Sequence, residues 1–170
     1  MHQSELERFE AAVLPHLNGA YSLARYLTRN DFDAEDVVQD ACLRALRYFG
    51  GFRGTTAADG RAWLYTIVRN TAHTWRHRNR ADTLTAEFDE AVHSEHVGDE
   101  HPESALDRSV ARESLAESLD RLPPEFREVL VLRELEGLSY KEISAVVGAP
   151  VGTVMSRLSR ARKRLQEELR

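Results

Sequence analysis

Apolar side chains recur at spacings of three and four along most of the chain, the signature of helices with one buried side. Leu6, Phe9, Val13, Leu17, Tyr21, Ala24 and Leu27 draw one stripe between Ser4 and Arg29. Pro15 predicts a kink or a division within it. Val37, Val38, Ala41, Cys42, Ala45, Leu46 and Phe49 draw a second stripe. Asp33, with Asp36 three residues on, is its candidate N-cap, and Gly50 with Gly51 its stop. Residues 50–60 (GGFRGTTAADG) read as a glycine-rich polar loop carrying one aromatic, Phe52, and one cation, Arg53. Trp63, Leu64, Ile67, Val68, Thr71 and Trp75 then predict a helix from about Arg61 to Arg78. Trp63 falls in this stripe and is expected in the core rather than on a stacking surface. Cys42 is expected to be a small buried apolar residue rather than a redox group.

The pattern fails over 81–106, where Leu, Ile, Val and Phe together number five. That segment reads as a linker. Order returns near Leu106, with Val110, Leu115, Leu119 and Leu122 on one helix. Pro123 and Pro124 end it and begin the next, which runs through Phe126, Val129, Leu130, Leu132, Arg133 and Leu135 to Gly137. The expected fold is all-α: two small helical domains, 1–80 and 108–170, joined by a linker over 81–107.

The last segment, LSYKEISAVVGAPVGTVMSRLSRARKRL, is the most specific. Ser139 and Glu142 have the spacing of a capping box. Ile143, Val146 and Val147 face a core, Gly148 suits a left-handed turn residue, and Pro150 suits the start of a second helix. Val151, Val154, Leu158, Ala161 and Leu165 form that helix's apolar side. A short helix, a glycine turn and a basic helix are the parts of a DNA-reading helix-turn-helix. Residues early on the second helix would meet base edges, and later cations would meet phosphates.

Charge sharpens this picture. The 170 residues carry 23 Lys and Arg against 28 Asp and Glu, a net −5 that by itself speaks against nucleic acid. By segment the charge is +2 over 1–80, −9 over 81–107, −2 over 108–136 and +4 over 137–170. Two stretches, 61–80 and 156–164, hold five cations each and no acid. An acidic segment thus divides two mildly basic ones, a pattern that suits DNA. One cysteine rules out an internal disulfide framework and fits a reducing compartment. The N-terminus does not read as a secretory signal. No apolar run approaches a membrane span, so no membrane insertion is expected. No phosphate loop, catalytic set or cofactor motif emerges, and the chain does not read as an enzyme. His93, Glu95, His96 and His101 are too loosely spaced for a zinc site, so no metal is expected.

In these segments the sequence resembles the extracytoplasmic-function (ECF, group IV) sigma factors, the small alternative initiation subunits of bacterial RNA polymerase. DAEDVVQDACLRALRYF resembles the family's helix that docks on the polymerase clamp helices. FRG with RAWLYTIVRNTAHTWRHR resembles the segment that melts and reads the −10 element. LPPEFREVLVLRELEGLSYKEISAVVGAPVGTVMSRLSRARKRL resembles the region that reads the −35 element. The resemblance implies core-polymerase binding by Asp36, Gln39, Asp40, Leu43 and Arg44. Asp36 is equally well read as part of a helix cap. It implies −10 contacts by Phe52, Arg53, Arg61, Arg69, Asn70, His73 and Arg76. It implies −35 contacts by Tyr140, Lys141, Thr153, Met155, Ser156, Arg157, Ser159, Arg160 and Lys163. Met155 departs from many relatives, which carry a cation there; a methionine can instead touch a thymine methyl.

The implied partners are core RNA polymerase, promoter DNA and an anti-sigma factor covering both domains. The implied setting is the bacterial cytoplasm, on the nucleoid when active, in response to a stress or envelope signal. The linker's −9 charge is either a nucleic-acid mimic for a basic channel or a soluble spacer. Each domain's modest charge predicts weak binding to DNA alone, strengthened when polymerase links the two sites. The alternative reading is a free-standing helix-turn-helix regulator, which predicts a dimer on a palindromic operator.

Overall fold

The computed structural model describes residues 3–83 and 104–169, with side chains over 3–79 and 111–169. The linker and His93, Glu95, His96 and His101 lie largely or wholly outside the described residues. Eight α-helices make up the described chain: α1 (Gln3–Val13), α2 (Leu17–Thr28), α3 (Asp31–Tyr48), α4 (Ala57–Thr83), α5 (Ser104–Arg121), α6 (Pro124–Leu130), α7 (Tyr140–Val147) and α8 (Val151–Glu168). The fold is all-α, with α7 and α8 forming a helix-turn-helix.

Pro15 divides the first stripe. It stands within a single 3₁₀ turn, Leu14–His16, that separates α1 from α2. Missing its N–H, proline fits a first turn but not a helix interior. Asn30, not Asp33, caps α3: its side-chain oxygen accepts from the amides of Phe32 (2.8 Å) and Asp33 (3.1 Å). The cap is three residues earlier than expected because Asn30 has the extended backbone a cap needs. Leu6 and Leu46, expected in buried stripes, are 43% and 40% exposed.

α4 begins at Ala57, inside the segment expected to be loop. Thr56 and Asp59 explain this. The Asp59 carboxylate accepts from the Thr55 and Thr56 amides (3.0 and 3.1 Å), while Thr56 Oγ1 accepts from the Asp59 amide (3.1 Å). Hydrogen bonds from those backbone amides hold the Asp59 carboxyl below its usual range. This reciprocal pairing starts the helix as a capping box does, with Asp in place of Glu.

In the C-terminal part, Pro123 and Pro124 separate α5 from α6 as expected. Arg127 then performs a task that periodicity cannot show. Only 2% exposed, it donates to the carbonyls of Leu119 (2.9 Å), Asp120 (3.1 Å) and Leu122 (2.8 Å). It thereby satisfies the unpaired end of α5. Burial and the charges of Arg29 and Arg76 pull its pKa down to about 10, so it stays protonated at neutral pH. After α6 the backbone widens into a π-helical turn, Val131–Leu135, where Glu136 N donates to Val131 O over five residues (3.0 Å).

The predicted turn between α7 and α8 is present in full. Ser139 Oγ accepts from the Glu142 amide (3.1 Å), and Glu142 accepts from the Ser139 amide (3.0 Å). Gly148 ends α7 at φ +68°, and Pro150 stands just before α8.

The N-terminal and C-terminal helices do not stand apart. α4 packs along α7 and α2 touches α6. Among the described residues, all but Phe49 of the buried apolar side chains, from Val13 to Ala161, form one cluster. This contact between halves was not part of the sequence-based expectation, and it governs what the basic face of α4 can reach.

Candidate nucleic-acid and polymerase interfaces

α3 has two unlike sides. Ala34, Val37, Ala41 and Ala45 are fully buried on one. On the other, Phe32 and Leu43 are each 67% exposed, and Asp36 and Gln39 lie between them in the open. Positions 32, 36, 39 and 43 follow the three–four spacing of one helical face. Asp40 and Arg44 border this face as an i,i+4 ion pair of 3.3 Å. An exposed Phe and Leu amid carboxylates form an apolar patch with a polar rim, the composition of a protein-binding face.

The loop between α3 and α4 is organised by aromatics. Phe52 stacks on Phe49 (centroids 5.6 Å apart) and tilts against Trp63 (4.9 Å), while Phe9 meets Phe49 edge-on at 5.4 Å. Trp63, expected in the core, is only half-buried and packs against the core from within this cluster. A side chain at Gly54 would collide with the Phe52 ring, so glycine is what lets the loop fold over it. Beside the cluster opens a cleft of about 420 Å³, lined by Arg8, Phe49, Phe52, Gly54, Thr55 and Thr56. Arg53 is exposed.

Along α4, Arg61, Tyr65, Arg69 and His73 recur every four residues and so share a face. That face meets carboxylates of the C-terminal part and is only partly open to solvent. Arg61 donates to Glu142 Oε2 (3.0 Å) and to the Glu136 carbonyl (3.3 Å). Tyr65 donates its hydroxyl to Glu136 Oε2 (2.9 Å). Arg69 grips Glu128 with two bonds (2.9 and 3.2 Å), and His73 Nε2 lies 3.6 Å from the same carboxylate. Glu128 is 3% exposed. Burial pushes its pKa up, but hydrogen bonds from His73 and Arg69 outweigh that and hold it below the ordinary value. Glu142 is likewise held low, its partial burial outweighed by bonds from the Ser139 amide and Arg61. Burial, reinforced by the Glu136 charge, pushes the Tyr65 hydroxyl up, so it remains a donor.

Of the expected −10 residues, therefore, Arg61, Arg69 and His73 are engaged within the chain. Asn70 stays exposed, and Arg76 borders a small pocket with His73, His77 and Pro124.

α8 is arranged differently. Val154, Leu158 and Ala161 anchor it. Met155 (52% exposed), Ser156, Ser159, Arg160 and Lys163 point outward, with Thr153 and Arg157 at the margin. Two cations of this helix serve the fold: Arg162 donates twice to Glu134 Oε1 (3.0 and 2.7 Å), and Arg164 lies over the Phe126 ring at 5.2 Å. Tyr140 is half-buried with Arg133 over its ring (4.7 Å), and Lys141 is exposed beside it.

Two family models match the chain. Residues 12–81 match sigma-70 region 2, and residues 112–165 match sigma-70 region 4. The chain is 35% identical to the RNA polymerase sigma-H factor of Pseudomonas aeruginosa, over 99% of this chain and 90% of that one. It is 33% identical to the ECF RNA polymerase sigma-E factor of Haemophilus influenzae, over 99% and 91%. The chain belongs to the extracytoplasmic-function sigma factors. This sigma factor also resembles the sigma factor RpoE solved with the anti-sigma factor NepR from Bartonella quintana, at 31% identity, TM-score 0.69 and 92% coverage of both chains. CnrH, solved with the cytosolic domain of CnrY, is similar at 28% identity and TM-score 0.63, over 92% of this chain and 83% of that one. The chain itself is an alternative sigma factor of transcription initiation. Among the described residues, no helix is long and apolar enough to cross a membrane.

Proposed function

We propose that this sigma factor of group IV docks on core RNA polymerase through the exposed face of α3 and places two DNA-reading surfaces on a promoter. The observation that carries the docking is the exposed Phe32, Asp36, Gln39 and Leu43 stripe, with Asp40 and Arg44 at its rim. The helix is already anchored by its opposite side, so this stripe is left for a partner.

The C-terminal domain, 108–170, reads the −35 element as duplex. Thr153, Met155, Ser156 and Ser159 meet base edges. Arg157, Arg160 and Lys163 meet phosphates, with Tyr140 and Lys141 at the margin. The N-terminal domain, 1–80, opens the −10 element. Phe52, Arg53 and the cleft beside them, together with Arg61, Arg69, Asn70, His73 and Arg76, receive the unpaired strand. Such a site needs aromatic surface and cations along a backbone, and both are present. The cost of unstacking is offset by capturing extruded bases and by the polymerase's own contacts. Residues 81–107 connect the two domains.

The relatives solved with anti-sigma proteins support an antagonist of that kind, and a stress or envelope signal would release it. Its place of action is the bacterial cytoplasm, on the nucleoid when active, as the promoter-binding role requires.

The test is to mix the purified chain with core polymerase and a promoter library and map the start sites. Specific initiation from sites sharing −35 and −10 sequences is expected. No initiation, combined with tight operator binding by the chain alone, would overturn the reading in favour of a free-standing regulator.

A further inference from the structure

Three glycines lie inside α-helices among the described residues, and the fold explains two of them. A methyl on Gly19 of α2 would collide with the Tyr65 hydroxyl. One on Gly60 of α4 would stand 2.5 Å from the backbone carbonyl oxygen of Ala12, so α1 lies against α4 where a side chain is missing. Gly152 of α8 has no such reason. Its backbone is ordinary α-helix, and a methyl there would meet nothing within 4 Å beyond its own helix backbone. Glycine weakens a helix relative to alanine, because it has more backbone freedom to lose and leaves the backbone uncovered. The free fold therefore gains nothing from glycine at this position. Its place on α8 supplies the reason. Gly152, Met155, Ser156, Ser159 and Lys163 follow the three–four spacing of one face, and all are exposed. Val154, Leu158 and Ala161 hold the opposite side in the core. Gly152 is thus a recess in the open face, one turn before Met155 and Ser156.

We propose that Gly152 sets the depth at which α8 enters the major groove of the −35 duplex, and is thereby a specificity-determining residue of promoter reading. This rests on the assignment of α8 to the −35 element. A recognition helix enters the groove by its N-terminal residues, so its first turn comes nearest the base edges. The side chains that follow on this face are short. The hydroxyls of Ser156 and Ser159 stand one bond beyond Cβ, so they meet base edges only if the helix backbone itself comes close. A donor moved past about 3.5 Å from its acceptor no longer bonds it. Glycine permits the approach, as it does wherever a backbone lies against a ligand. Arg160 and Lys163 have longer arms and hold phosphates even as the helix moves outward, so depth governs sequence reading and not general attachment.

Gly152→Ala and Gly152→Leu in the full chain test it. Each variant is unfolded with denaturant and followed by circular dichroism, then assembled with core polymerase. The holoenzyme is titrated against two fluorescein-labelled duplexes: a promoter recovered by start-site mapping, and the same promoter with its −35 sequence scrambled. The unfolding midpoint of Gly152→Ala is expected to stay level or rise. Its affinity for the promoter is expected to fall by about tenfold, the usual cost of one misread base pair. Gly152→Leu is expected to lose more, and binding to the scrambled duplex to change little in either. A lowered midpoint for Gly152→Ala would overturn the proposal, because the glycine would then serve the fold. An equal loss on both duplexes would place Gly152 against the sugar–phosphate backbone and overturn its role in depth. Unchanged promoter affinity in both variants would overturn it as well, and Arg160→Ala then locates the failure. If Arg160→Ala weakens holoenzyme binding, the −35 assignment of α8 stands and the role of Gly152 alone falls. If Arg160→Ala has no effect, the −35 assignment falls with it.

Discussion

Residues 61–80 and 156–164 carry five cations each and no acid, yet the folded chain treats them oppositely. On α4 two of the cations, Arg61 and Arg69, are covered by the half-buried Glu142 and the buried Glu128. On α8 the cations that are paired, Arg162 and Arg164, lie to one side, and Arg160 and Lys163 remain on the open face. Equal charge therefore gives unequal availability. A duplex on α8 would find its cations as they stand, whereas a strand on α4 would have to displace Glu128 and Glu142 to meet Arg69 and Arg61. The difference follows from placement: the acids that quench α4 lie 59 to 81 residues away in sequence.

The strongest way to break this comparison is to remove the platform that presents Glu128. Arg127→Ala deletes a buried guanidinium that satisfies three carbonyls near the end of α5. Leaving buried groups of a charged network unpaired costs about 3 kcal/mol or more. Chemical denaturation followed by circular dichroism should show this loss, and the covered face of α4 should become accessible together with it. A loss below about 1 kcal/mol would mean that the C-terminal domain does not depend on this arginine.

The second disturbance is pH. Glu128 and Glu142 both have depressed pKa values, although burial opposes the depression in each. A carboxylate whose folded pKa lies below its unfolded one stabilises the folded contact at pH values above the unfolded pKa. That contribution is lost as pH falls through the folded value. Arg69 and His73 face Glu128, and Arg61 faces Glu142, so each protonation removes one side of an ion pair. Acidification below the ordinary carboxylate range should separate the domains, read as a rise in radius of gyration, before helical content falls. At neutral pH both contacts should be fully present. Loss of helix at the same pH as separation would show that the interface and the fold titrate together.

The contrast between the two basic stretches also shows what a sequence can carry. The helix-turn-helix was legible because its signals are local: Ser139 with Glu142, Gly148 and Pro150 all act within a few residues of one another. The break at Pro15 and the start of α6 were legible for the same reason. The cap of α3 was misplaced because Asn30 and Asp33 offer similar oxygens, and only the backbone angle selects between them. The Thr56–Asp59 start of α4 is present in the sequence as a spacing, set among glycines that mark a loop. Leu6 and Leu46 show that a stripe marks a direction, not a depth. Arg127 and Glu128 were illegible in principle. Within an apolar stripe they look like surface charges, and only the three-dimensional arrangement shows one tying α5 to α6 and the other reaching α4. The exposed early side of the second basic helix could be placed from local pattern, and the resemblance then implied its −35 side chains. Whether the −10 side chains are available could not be read in that way.

On the open face, the effects should be smaller and separable. Arg160→Ala removes an exposed cation assigned to phosphate. Its loss should weaken −35 binding by polymerase holoenzyme about equally across sequences, and lower the slope of log K against log salt by about 0.9. A sequence-selective loss with an unchanged salt slope would move Arg160 from phosphate to base contact.

Met155 should give the smallest effect and the most specific one. It is 52% exposed in the free protein and stands near the start of α8, where a helix in the major groove brings side chains to base edges. Methionine has neither charge nor donor, so its contribution to reading must come from apolar contact, and the thymine methyl is the apolar group that groove offers. Met155→Ala removes the apolar arm beyond Cβ, and contact with a single methyl is worth about 0.8 kcal/mol, or roughly fourfold in affinity. Replacing the facing thymine by deoxyuridine deletes the same methyl from the other side. If the two groups touch, either change alone should cost about this amount, and both together should cost little more than one, because the contact can be lost only once. Holoenzyme binding to −35 duplexes carrying thymine or deoxyuridine at each position in turn reads this directly. Fully additive losses at every position would place Met155 away from the bases and leave sequence reading to Thr153, Ser156 and Ser159.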